Sequence, residues 1–193
     1  LGKGLRRNME KGMAERPVKP YDPAPRAMSR AAFVARFGGV YEHFPQIAER
    51  AWDRGLSEAQ DTAGGLAAAM ASIAVALDEE EKLALIRNHP DLAGKAAVAG
   101  ELTAASKSEQ ADAGLDQCTP EEFARFQELN AAYRAKFGFP FILAVGGRGR
   151  REILAAFEAR VENDRDTELR TALQQIDRIA RLRLDMLAGE APG

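Results

Sequence analysis

One cysteine and two histidines in 193 residues leave little from which to build a disulfide framework or a metal cluster. Cys118 alone excludes an intrachain disulfide and a cysteine-rich metal site, and it fits an intracellular protein. No excess of either charge is available: 27 basic residues face 29 acidic ones, so nothing electrostatic favours nucleic acid or an anionic membrane. Long apolar runs are also missing. The two longest, around 66–77 and 139–145, fall short of the roughly 20 residues a membrane-spanning helix needs. Val, Ile and Tyr are sparse beside Ala, Leu, Glu and Arg, so sheet formers are scarce and helix formers plentiful.

What is present reads as an all-α, single-domain bundle of about seven to nine helices, long enough to bury a real core. Residues 1–27 differ from the rest. They hold Pro17, Pro20, Pro23 and Pro25, little apolar periodicity, and seven basic against three acidic residues. Such a segment buries too little surface to fold, so a flexible tail is expected there. The helical domain is expected over 28–188, with a short tail at 189–193. No apolar core of a signal peptide follows the first residues, and the chain ends Ala-Pro-Gly rather than Ser-Lys-Leu; the cytoplasm is the expected location.

Helix boundaries are readable. Ser29 caps a short helix carrying Phe33 and Phe37 that stops at Gly38-Gly39. A second helix spans about Pro45 to Asp53, and a third, Ala-rich one runs from Leu66 to Leu77. Asp78 with Glu81 makes a capping box for the next helix, which must stop near Asn88 or His89 because Pro90 pushes its predecessor out of the α region. A helix is expected from about Thr103 to Ala113, and Thr119-Pro120-Glu121-Glu122 opens another. The last two cover about 151–163 and 166–187.

Four places carry features that helix building does not require. His89 sits at a helix end, where the dipole favours the imidazolium form; it either caps that helix or exchanges protons with a ligand. Ser106, Glu109 and Gln110 share one helix face at i, i+3 and i+4, although Ser-x-x-Glu is also a capping box. Phe137-Gly138-Phe139-Pro140-Phe141-Ile142 is a helix stop followed by aromatics that could simply fill the core. In the last helix, Leu173, Ile176, Ile179, Ala180, Leu184, Met186 and Leu187 form an apolar face, with Gln174, Asp177, Arg178, Arg181 and Asp185 opposite. Arg183 falls in the middle of the apolar face, so it needs a carboxylate or a ligand inside the protein, and Glu109 or the substrate would serve. His43, before Phe44-Pro45, reads as a structural cap. The two histidines lack metal-ligand spacing, and nothing near Lys95 would depress its pKa for Schiff-base chemistry.

Five segments in register make one pattern: Phe37-Gly38-Gly39-Val40, His89-Pro90-Asp91-Leu92-Ala93-Gly94-Lys95, Ser106-Lys107-Ser108-Glu109-Gln110, Phe137 to Ile142, and Ile179-Ala180-Arg181-Leu182-Arg183-Leu184. From about Met28 to about Leu187 the chain resembles the 2-oxo-4-hydroxy-4-carboxy-5-ureidoimidazoline (OHCU) decarboxylase family. That resemblance implies decarboxylation of a small ureidoimidazoline to (S)-allantoin with no cofactor and no metal, in a homodimer. It implies His89 as the acid/base, aimed by Pro90 and oriented by Glu109. Ser106, Lys107, Ser108 and Gln110 would line the substrate pocket. The backbone of Phe141, Ile142, Leu143, Ala144 and Val145 would bond the ureido and ring amides, and Arg183 would be the pocket arginine. The chain departs at Gly146, where relatives often carry Lys or Arg. A helical scaffold module remains the rival reading, and it predicts no small-molecule pocket.

Overall fold

The structure, a computed structural model, describes residues 20–94 and 101–189. Eight α-helices run through them: α1 (Arg30–Phe37), α2 (Gln46–Asp53), α3 (Ala63–Ala76), α4 (Glu79–Arg87), α5 (Ala104–Asp112), α6 (Pro120–Phe137), α7 (Arg150–Val161) and α8 (Arg165–Leu187). Among the described residues no strand forms; one isolated bridge joins Pro20 to Thr62. The all-α expectation and its helix count hold.

The caps are those the residue types dictate. Ser29, Asp78 and Thr119 each accept a backbone N–H of the first turn, and Glu81 and Glu122 complete capping boxes. Gly138 ends α6 at φ +78°, a left-handed conformation that favours glycine. The one misplaced boundary is the start of α3. Thr62 caps it and the helix opens at Ala63, three residues ahead of Leu66, because Gly64 and Gly65 continue the helix rather than preceding it. At Gly65 a β-carbon would lie 1.6 Å from the Ala59 carbonyl oxygen, so close passage of the 3-10 turn at Glu58–Asp61 requires glycine there.

The long helix α8 is the spine, and α3 packs most extensively against it, with α4 and α6 alongside. Ile176, Ala180 and Leu184 face the core as expected, but the ends of the predicted stripe do not: Met186 is 51% and Leu187 40% exposed. Asp185, expected on the polar face, is instead buried under its ion pair with Arg181. Tyr133 centres the other half of the core, meeting the rings of Phe137, Phe139, Phe141 and Phe157; each such ring contributes about 1.5–3 kcal/mol by leaving water.

Residues 20–27 belong to the domain and not to a flexible tail. Tyr21 is buried, packs edge-on against Phe37 and donates its hydroxyl to the Leu184 carbonyl at 2.8 Å. Arg26 pairs with Asp61 at 2.8 Å. Proline content hid this, since one aromatic anchor outweighs a poor local periodicity. Residues 1–19, 190–193 and Lys95 lie outside the described residues. Tyr21→Ala is expected to cost about 3 kcal/mol, seen as a lower melting temperature, and removal of residues 1–27 should lower it at least as far. An unchanged melt in both would show that the arm does not pack.

Candidate active site

A cleft of about 130 Å³ opens where the end of α4, the inner face of α5, the 141–145 strip and α8 converge. His89, Pro90, Ser106, Glu109, Gln110, residues 141–145 and Arg183 all border it. Lys107 and Ser108 do not: both are exposed, and Lys107 turns toward a second cavity beside Leu115, Cys118 and Phe123. A helix shows only one face to a cleft, so the two residues between Ser106 and Glu109 necessarily leave it.

Arg183 organises the site. Its Nε and Nη2 donate to the two oxygens of Glu109 at 2.7 and 2.8 Å. Nη1 donates to Glu42 Oε2 at 2.6 Å and to the Val40 carbonyl at 3.3 Å, and Nη2 also reaches Ser106 Oγ at 3.2 Å. These contacts engage all five guanidinium donors, which satisfies the requirement that burial imposed on this arginine. Glu109 was expected either to orient His89 or to pair with Arg183; it is bidentate on Arg183, because a planar fork is the better partner for a carboxylate.

Glu42, the second carboxylate, was not singled out in the sequence. Its side chain is fully buried, and Oε1 accepts from Thr103 at 2.7 Å and from Ser106 at 2.8 Å. Burial works to raise its pKa, but Arg183 and the two hydroxyls outweigh it and hold the carboxyl below its usual range. Its backbone lies at φ +55°, a left-handed conformation costing a residue with a β-carbon roughly 1–2 kcal/mol. The only local signal was its place two residues after Phe37-Gly38-Gly39-Val40; its partner is 141 residues away. The capping reading of Ser106 also falls. Thr103 is the N-cap of α5, and Ser106 supplies the backbone N–H that the cap accepts.

His89 is 5% exposed. The helix end had suggested an imidazolium, but burial drives the pKa down to about 4 against the weaker opposing pull of the Leu85 carbonyl and Glu42. The ring is neutral at physiological pH. Nδ1 lies 3.0 Å from the Leu85 carbonyl oxygen, which can only accept, so Nδ1 carries the proton and Nε2 the lone pair. Among the described residues Nε2 has no hydrogen-bond partner.

The backbone on both sides is pinned. Gln110 Oε1 accepts from Ala93 N–H at 3.0 Å, Asn130 donates to the Leu92 carbonyl at 3.0 Å, and Gln127 to that of Ala93 at 2.8 Å. Opposite, Gln175 accepts from Ala144 N–H at 3.0 Å, and Arg160 donates to the Ile142 carbonyl at 2.7 Å. Arg160 also lies over the Phe141 ring and pairs at 2.7 Å with Glu168, a fully buried carboxylate that accepts from Tyr133 and Asn163 as well. Composition could not reveal Glu168, Arg160 or Gln175 as supports. Ile179 and Met186 on the cleft wall were readable, since they stand four before and three after Arg183 on one helical face. His43 is exposed, and its carbonyl accepts from Asn88 at 3.1 Å, as a structural residue would.

Two arginines of α8 should therefore respond differently. Arg183→Ala leaves Glu42 buried without its cation and should cost on the order of 3–5 kcal/mol, with loss of ligand binding. Arg181 is 47% exposed and paired with Asp185 at 2.9 Å, so Arg181→Ala should cost no more than about 1 kcal/mol. Thermal melts side by side decide it; equal losses would contradict the division.

Comparisons with known proteins identify the family. The sequence profile of a family described as OHCU decarboxylase matches residues 26–185. The 2-oxo-4-hydroxy-4-carboxy-5-ureidoimidazoline decarboxylase of Haloferax volcanii is 42% identical over 153 residues, covering 79% of this chain and 87% of that protein. Its counterpart from Mus musculus is 37% identical, covering 84% and 90%. A crystal structure of an (S)-allantoin synthase is similar with a TM-score of 0.69 and 32% identity over 89% of this chain; the chain spans 54% of that longer protein. A second crystal structure, of an OHCU decarboxylase in the presence of (S)-allantoin, shares the fold at a TM-score of 0.63 and 23% identity, covering 80% of this chain and 99% of that one. With profile, relatives and fold in agreement over most of its length, the chain belongs to the OHCU decarboxylase family.

Proposed function

We propose that this chain is a carboxy-lyase of urate breakdown, converting 2-oxo-4-hydroxy-4-carboxy-5-ureidoimidazoline to (S)-allantoin and CO2 without a cofactor. The observation that carries the reading is His89, a buried neutral imidazole with no hydrogen-bond partner on Nε2 among the described residues, which is one of the residues bordering a cleft walled by the family's motif residues.

The substrate explains why the protein can be so plain. One ring carbon bears both a hydroxyl and a carboxylate and adjoins an imine. When the bond to the carboxylate breaks, CO2 leaves and the electron pair moves through the ring to the imine nitrogen. The ring is its own electron sink, which removes the need for a cofactor to stabilise the carbanion. The ring nitrogen takes a proton from solvent, the hydroxyl then loses its proton to become a carbonyl, and the neighbouring ring carbon that bears the ureido group takes one up. A neutral imidazole is suited to the last two transfers: Nε2 takes the hydroxyl proton and returns it to one face of the ring. Pro90 and the Gln110 contacts hold the loop that follows His89. Ser106, the 141–145 backbone and the Arg183–Glu109 pair surround the ring and ureido group. Lys107 and Ser108 have no part in this assignment. Gly146, which borders the cleft, contributes no basic group.

Freshly generated urate-oxidation intermediate mixed with the protein should give chiral allantoin, followed by circular dichroism at a rate far above the spontaneous one. His89→Asn should lower kcat by about 10²–10⁴-fold with the far-ultraviolet spectrum retained. Wild-type activity should rise as pH climbs through about 4 and be level by neutrality, since His89 is the base only when unprotonated. Stability follows the same group. Between about 4 and 6.5 the folded histidine stays neutral while the unfolded one protonates, so stability falls as pH drops through that window. Racemic product at the spontaneous rate, or normal turnover by His89→Asn, would overturn the assignment.

A homodimer and a cytoplasmic location are part of the same proposal, the first resting on the family resemblance and the second on the single cysteine. Among the described residues no helix is long and apolar enough to cross a membrane. Sedimentation equilibrium should give twice the 21.0 kDa chain mass, and a monomer at assay concentration would remove the dimer.

A further inference from the structure

Glu42 does not border the cleft, yet its carboxylate contacts run to the residues that form it. One oxygen accepts from Arg183; the other accepts from Ser106 and from Thr103, the residue that caps α5. We propose that Glu42 is a positioning residue of the decarboxylation, holding the plane of the Arg183 guanidinium and turning Ser106 into a hydrogen-bond acceptor toward the substrate. The inference rests on the decarboxylase reading and assigns a role to a residue outside the motif face.

Two features carry it. An ionised carboxylate can only accept, so the single proton of Ser106 points away from the cleft toward Glu42. Ser106 Oγ also accepts from Arg183 Nη2, which leaves it one lone pair and no proton for a ligand. It therefore recognises an N–H, as a ureido or ring amide supplies, and discriminates against a carboxylate at that spot. The second feature is charge. Glu42 and Glu109 share one arginine, so the cluster holds one negative charge in excess beside a neutral histidine. An anionic substrate would bind more readily without Glu42. A carboxylate retained there, in a left-handed backbone, serves geometry and not ground-state affinity.

The loop that carries Glu42 is tied to α8 a second way, by the Tyr41 hydroxyl donating to Asp177 at 2.9 Å. This contact touches no cleft residue and supplies the control. Glu42→Gln keeps shape and removes charge, so kcat should fall by about 10–100-fold as the guanidinium and hydroxyl lose registry, while KM stays level or decreases. Tyr41→Phe should lower the melting temperature and leave kcat near wild type. A second readout needs no turnover. In protein labelled with ¹⁵N-arginine, the five bonds on Arg183 should resolve its two Nη signals, and Glu42→Gln should shift the Nη1 signal and speed exchange between the two, with Glu109 still on Nε and Nη2. Glu42→Asp, which keeps the charge on a side chain one methylene shorter, takes the place of Glu42→Gln in both measurements if the latter does not fold. Unchanged kcat in the Glu42 variant, an equal kcat loss in Tyr41→Phe, or Nη signals alike in wild type and variant would each overturn the proposal. If wild-type protein makes no allantoin, the decarboxylase reading falls, and the labelled arginine still decides whether Glu42 holds Arg183.

Discussion

The buried guanidinium of Arg183 is the constraint around which this molecule is arranged. It projects from the core-facing side of α8, where an unpaired charge would cost several kcal/mol, and its five donors fix what must surround it. Glu109 and Ser106 come from α5, Glu42 and the Val40 carbonyl from the turn after α1. Three segments far apart in sequence are thereby held at one point. The requirement is reciprocal. Glu42 is buried only because the arginine is there, and the turn tolerates a left-handed residue because the bonds to Arg183, Thr103 and Ser106 outweigh its strain.

A second buried ion pair does the same for the opposite wall. Glu168 gathers Arg160, Tyr133 and Asn163, and Arg160 in turn holds the Ile142 carbonyl and covers Phe141. Between the two clusters lies a dry imidazole. Burial lowers the pKa of His89 against the opposing pull of the Leu85 carbonyl, and Nε2 has no hydrogen-bond partner among the described residues. A solvated histidine at the same helix end would be a weaker choice for a base that must stay neutral. The active group is thus tuned by the absence of contacts, and its neighbours are fixed by an abundance of them.

Local chemistry was legible from the chain. Caps at Ser29, Asp78 and Thr119, the stop at Gly138 and the break before Pro90 are short-range signals, and short-range interactions enforce them. The Arg183 argument worked for the same reason, because a helix repeats regularly enough to say which residue meets the core. It failed at the helix end, where Met186 and Leu187 run past the last packed layer. It failed again at Asp185, which is covered although its neighbours in the wheel are polar. The Pro-rich arm misled because composition averages over a segment, whereas Tyr21 alone supplies the anchor.

Residue chemistry and spacing determined that this protein is a helical domain in which Arg183 meets the core; motif order determined its family, and the family resemblance, not spacing, pointed His89 and the Ser106, Glu109 and Gln110 face at a ligand. Tertiary structure decided how those groups are wired. It gave Glu109 to Arg183 and not to His89, left His89 neutral where the helix dipole favoured a cation, and turned Lys107 and Ser108 away. It also brought in Glu42, Gln175, Arg160 and Glu168, which no local pattern marks. The physical reason is that helix propensity and capping act over a few residues, while pKa and ion pairing depend on desolvation and on partners up to 141 residues distant in the chain.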